Sequence, residues 1–133
     1  MQQQGEAEAL RAFFRSQPSV QAAYLYGSVA RGEARPESDV DVALLLAHGE
    51  PPALQGEALR IEGELERLLG KIVQVVVLNL APVDLIHRVL RDSSLLAEHD
   101  RSARIRFEVR SRNEYFDLLP FLRRYRRLDE RAA

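Results

Sequence analysis

Two apolar runs, Val20 to Tyr26 and Val40 to Leu46, bracket the segment GSVARGEARPESD, and this arrangement limits the fold more than any other part of the chain. Each run has the length and side-chain character of a strand. Gly27 and Ser28 fall at the carboxyl end of the first, and Asp39 and Asp41 at the start of the second. Residues i and i+2 of a strand point to one face, so the two carboxylates project side by side. Their repulsion is offset where a divalent cation lies between them, and hard oxygen donors suit Mg²⁺ or Mn²⁺.

The Gly-Ser half suits an anion. Gly27 has no Cβ, so the backbone turns sharply there and a phosphate can approach it closely. If Ser28 opens a short helix through Val29, Ala30 and Arg31, the free N–H groups of that turn point at a triphosphate, with the Ser28 hydroxyl and Arg31 beside them. Ser38, directly before Asp39, is placed to orient that carboxylate. Phosphate and metal would then meet between adjacent strands, the minimum apparatus for nucleotidyl transfer. The plain alternative is a surface loop with a Ser cap and a solvated acidic turn, and the flanking strands argue against it.

The string GSVARGEARPESDVDVALLL resembles the Gly-Ser, ten residues, Asp-x-Asp signature of the minimal nucleotidyltransferases (MNT), a branch of the DNA polymerase beta superfamily. The similarity continues through a central strand, the segment LNLAPVDLIHRVL and the tail YFDLLPFL. It implies an α/β (α+β) fold with a small mixed sheet flanked by helices, and Mg²⁺-dependent transfer of AMP from ATP. Asp39 and Asp41 would be the catalytic metal ligands, with Gly27, Ser28, Arg31 and Ser38 binding the nucleotide. Similar proteins are antitoxins that modify a tyrosine of a HEPN ribonuclease, so a HEPN-type toxin is the expected partner.

One position departs from the family pattern. A third carboxylate usually follows the amphipathic helix, and here the aligned string VQVV puts Gln74 there, with no Asp or Glu anywhere from Lys71 to Ala81. An amide carries no charge and cannot act as a base, although its carbonyl oxygen can be a weak neutral ligand. The alternative to an active enzyme is therefore a catalytically impaired antitoxin that neutralises its partner by binding.

At 133 residues the chain is expected to be one domain, with a C-terminal helical tail from about residue 100; a domain of this size buries about two thirds of its unfolded surface. A hydrophobic fraction of 46% with 29% charged residues fits a soluble globular chain. No run suits a membrane span, the N-terminus lacks a secretory pattern, and a cytoplasmic location is expected. The absence of cysteine excludes disulfides, thiolate catalysis and zinc–thiolate sites.

Further helices are expected over residues 6–16, ended by Pro18; over 53–69, with Leu54, Ala58, Ile61, Leu65 and Leu68 on one stripe and Gly70 as cap; and from Pro82 to Leu90, with Leu85, Ile86, Val89 and Leu90 inward. A third strand is expected over 71–79 and a short edge strand over 94–97. From Asp100 as N-cap a long helix carries Ile105, Val109, Phe116 and Leu119, with Pro120 kinking or breaking it and core packing accounting for Phe116. His48, His87 and His99 lack metal-ligand spacing and read as loop or helix-face residues.

The net charge of −1 hides an asymmetry: residues 1–100 hold 9 basic and 15 acidic side chains, residues 101–133 hold 10 and 5. Arg123, Arg124, Arg126 and Arg127 form a basic cluster, which reads first as a solvated helix face and second as a surface for an acidic partner. Nucleic acid is not an expected partner; its binding here would weaken steeply with salt. Transfer to an antibiotic is a further rival. Homo- and hetero-oligomers are both left open.

Overall fold

In the computed structural model, which describes residues 2–30, 32 and 38–132 and side chains for all of these except 2–4, 28, 29 and 130–132, the two apolar runs are neighbouring strands. The elements run α1 (Gln2–Arg15), β1 (Val20–Tyr26), α2 (Gly27–Ala30), β2 (Val40–Leu46), α3 (Pro51–Leu69), β3 (Val73–Val77), a 3₁₀ turn (Leu78–Leu80), α4 (Val83–Asp92), β4 (Ser94–Glu98) and α5 (Arg101–Ala132). The sheet order is β3-β2-β1-β4. β1 is antiparallel to β2 and β4, and β2 is parallel to β3, the pair joined by the α3 crossover. This is the small mixed sheet flanked by helices that the sequence implies.

Helices cover both faces, which is why β2 is apolar almost throughout. On one face Leu10 and Phe14 of α1 and Leu54, Ala58, Ile61 and Leu65 of α3 pack on Ala23, Leu25, Val42 and Leu44. On the other, Ile86 and Val89 of α4 and Phe107 of α5 pack on Ala22, Tyr24, Ala43 and Leu45. Val20 and Ala22 fall in different cores because the register shifts between them. The carbonyl freed at Gln21 accepts from the N–H groups of His99, at 2.9 Å, and Asp100, at 3.2 Å.

The β3 edge is sealed by its own crossover helix. Glu66 Oε2 accepts from the Val73 N–H and Glu62 Oε1 from the Val75 N–H, both at 3.1 Å. β3 is shorter than expected: Ile72 is exposed and Leu78 already belongs to the 3₁₀ turn. Asn79 brackets the end of β2, accepting from the Leu46 N–H and donating to the Leu46 carbonyl, each at 2.9 Å. Gly70 closes α3 at φ +66°, and its N–H donates to the Glu66 carbonyl at 2.8 Å. Leu68 departs from the expected stripe and is half exposed.

Asp100 caps α5, its Oδ1 accepting from the Ala103 N–H at 3.0 Å. The helix continues through Pro120, which forfeits one backbone donor without ending it. Among its described side chains Phe107 and Ser111 are buried, whereas Ile105, Val109 and Phe116 face solvent; Phe116 is 57% exposed and is not a core residue. Phe121 and Tyr125 are exposed as well. Arg104 pairs with both Glu98 and Glu108, tying α5 to β4. His99 has a structural role, its Nε2 meeting the Phe14 carbonyl at 2.7 Å. Among the described residues no helix is long and apolar enough to cross a membrane.

Candidate active site

The end of β1, the start of β2 and the start of β3 meet at one end of the sheet. Cross-strand pairing puts Tyr26 opposite Asp41, and Asp41 opposite Gln74. Paired residues share a face, so Tyr26, Asp41 and Gln74 form a row across three strands, on the side that carries α4. Asp39, two residues before Asp41, projects to the same side. Ser38 and Asp39, both half-buried, lead into β2, where the Val40 N–H donates to the Ile72 carbonyl at 3.0 Å.

Gly27 and Asp41 are in intimate contact. A Cβ built on Gly27 would lie 2.5 Å from Asp41 Oδ2, closer than real Cβ atoms come to any neighbour, and Gly27 also has φ +78°. Steric exclusion and backbone conformation therefore both require glycine here. The acid faces the turn. Ser28 lies in α2, directly after Gly27, and Arg31 lies outside the described residues, as do residues 33–37.

Gln74 Nε2 donates to Asp39 Oδ2 at 3.4 Å, so the amide occupies the space beside the first aspartate. Among the described residues no group of three His, Cys, Asp or Glu side chains is placed to hold a metal. Two carboxylates on one face still match Mg²⁺, which keeps several waters and takes its remaining ligands from substrate phosphates.

Two residues that sequence reasoning passed over belong to this site. Burial first, and then the Asp41 carboxylate, push the Tyr26 phenol above its ordinary value, while Arg88 of α4 acts in the opposite sense. Tyr26 is thus a neutral hydroxyl beside the acid. Its place follows from strand pairing alone, since the last residue of β1 must face the first acid inside β2. Arg88 was signalled by helical spacing: Asp84, Arg88 and Arg91 lie opposite the inward Ile86 and Val89.

A family model described as "Polymerase beta, Nucleotidyltransferase" matches residues 8–102. A Methanocaldococcus jannaschii protein assigned as a protein adenylyltransferase is 38% identical over 76 residues, 57% of this chain and 73% of that protein. A chain from the crystal structure of a toxin–antitoxin with AMP-PNP superposes with a TM-score of 0.74 at 24% identity, covering 96% of this chain and 98% of that one. A chain from the complex of a tri-AMPylated Shewanella oneidensis HEPN toxin with MNT antitoxin gives 0.68 at 24% identity, covering both chains fully. At these identities the structural likeness is one of fold.

Proposed function

Because the chain belongs to the polymerase beta nucleotidyltransferase family, we propose that it transfers AMP from Mg²⁺-ATP to a hydroxyl, a tyrosine, of a HEPN-type toxin and so acts as an antitoxin. The observation that carries this reading is the Gly27–Asp41 contact, which sets an acid directly against the turn proposed to receive the triphosphate. Asp39 and Asp41 would hold the metal. Gly27 and Ser28 would receive the phosphates, with Ser38 orienting Asp39 and Arg31 adding charge.

The bound Mg²⁺ would supply charge neutralisation at the α-phosphate and at the departing pyrophosphate. The chain itself admits the nucleotide's backbone contact at Gly27 and fixes the spacing of the two acids through β2. It also keeps Tyr26 protonated beside them.

A second reading, binding without transfer, is favoured by Gln74. Its amide donates to Asp39 where the family pattern has a carboxylate, and no base replaces it among the neighbouring residues of β3. Incubation with ATP, Mg²⁺ and a HEPN-type protein separates the two readings. Transfer adds about 329 Da per AMP to the acceptor by intact mass. Suppression of the toxin with no adduct would leave binding as the mechanism.

A further inference from the structure

We propose that the groove between α4 and α5 is a second nucleotide site, which takes the adenosine 5′-phosphate group carried by an already modified acceptor; the acceptor part of this inference rests on the transfer reading above. The groove has two joined ends. One is a cavity of about 350 Å³ lined by Asp84, His87, Arg88, Arg91, Tyr115 and Arg126. The other, of about 240 Å³, shares His87 and Arg91 and is closed by Leu90, Ser111 and Phe116, with Glu108 and Arg112 beside them.

The chemistry of the two ends differs in the way a nucleoside monophosphate does. Among the described residues, three guanidiniums face one lining carboxylate, Asp84, at the first end, an excess of positive charge suited to a phosphate. Arg91 is engaged by Asp92 at 3.0 Å, whereas Arg88 and Arg126 have no ion pair among the described residues. At the second end, Leu90 and the half-exposed ring of Phe116 offer apolar surface, and Ser111, 4% exposed, supplies a hydroxyl. His87 of α4 and Tyr115 of α5 stack in parallel at 3.6 Å, bridging the two helices along the groove.

Position decides between an incoming and an attached nucleotide. Among the described residues, none that lines the groove belongs to β1, α2 or β2, which sets a nucleotide held here apart from one received at Gly27. The helix that carries Arg88 and lines the groove, α4, nevertheless also contacts α2, the turn that begins at Gly27. The cationic end therefore adjoins the transfer site, where an acceptor that has just received AMP would present its phosphodiester.

The test is calorimetric titration of the whole chain with adenosine 5′-phenyl phosphate, a stand-in for tyrosine-linked AMP, and with AMP. Saturable binding of the ester is expected without magnesium and undiminished by Mg²⁺-AMP-PNP. It should survive Asp39→Asn with Asp41→Asn, and weaken about tenfold or more in Arg91→Gln with Arg126→Gln. Both arginines are exposed, and circular dichroism verifies that the variant folds. The inference is overturned if the ester gives no heat, if AMP-PNP displaces it, if the arginine variant binds it unchanged, or if AMP binds about tenfold more tightly than the ester. Because no step of this assay requires transfer, a chain that binds the ester but adds no AMP to a HEPN-type protein would fail only the transfer reading.

Discussion

Gln74 Nε2 lies 3.4 Å from Asp39 Oδ2, the amide of one parallel strand reaching the acid that opens the next. The contact neutralises nothing. It supports Asp39 with a single long hydrogen bond in a place where a carboxylate would bring a third negative charge beside Asp39 and Asp41, and a third ligand for the proposed metal.

Gln74→Asp therefore has opposite effects with and without metal. Without Mg²⁺, the added charge beside Asp39 costs about 0.2–1 kcal/mol and lowers Tm. With Mg²⁺, the extra hard ligand raises metal affinity by about tenfold and speeds transfer. Melting curves taken with and without Mg²⁺ check this. A variant whose Tm ignores the metal would place residue 74 outside the ion's reach.

Gly27→Ala and Gly70→Ala separate backbone strain from site geometry. Both residues have positive φ, +78° and +66°, so each substitution costs about 1–2 kcal/mol of stability. Only at Gly27 does the new Cβ meet a neighbour, Asp41 Oδ2 at 2.5 Å, whereas nothing lies within 4 Å at Gly70. Gly27→Ala should therefore also abolish binding of Mg²⁺-ATP, and Gly70→Ala should leave it intact. Loss of binding in both variants would mean that strain alone is responsible.

Glu62→Ala and Glu66→Ala unseal the β3 edge. Each leaves one strand N–H, that of Val75 or Val73, without its carboxylate acceptor at 3.1 Å, a loss of about 1–3 kcal/mol where water cannot replace it. Hydrogen exchange at the matching amide should accelerate while the β1 amides stay protected. Unaltered exchange at Val73 and Val75 would show that water already serves that edge.

Sequence patterning exposed most of the scaffold and part of the candidate site. The bounds of β1 and β2, the Gly70 cap and the Asp100 cap each follow from local signals within a few residues of the feature. Gln74 was identified as the departure from the family pattern by its place on β3, but its Asp39 partner lies 35 positions away and needs the parallel register to be seen. The same holds for Asn79 and Leu46, which are 33 apart. α5 misled for a different reason. Apolar residues occupy more than one of its faces, and periodicity cannot say that Phe107 goes inward while Ile105, Val109 and Phe116 face solvent.

Tyr24 gives the fold an alkaline limit. The side chain is 3% exposed and its hydroxyl is buried without a hydrogen-bond partner. Burial, reinforced by Glu108 and Glu98 and opposed by Arg104, holds the phenol neutral well above its ordinary value of 10.0. The unfolded chain releases that proton near pH 10, whereas the folded chain retains it. The contribution to stability is therefore complete below about pH 10 and declines as pH rises from there towards the folded value. Tyr26 is shifted in the same direction and adds to the slope. In Tyr24→Phe the buried hydroxyl is gone, so stability at neutral pH is equal or higher and the alkaline loss is shallower, leaving the part due to Tyr26. Urea melts of both proteins between about pH 8 and about pH 11 measure the difference. Parallel pH profiles would mean that Tyr24 ionises in the folded chain as readily as in the unfolded one.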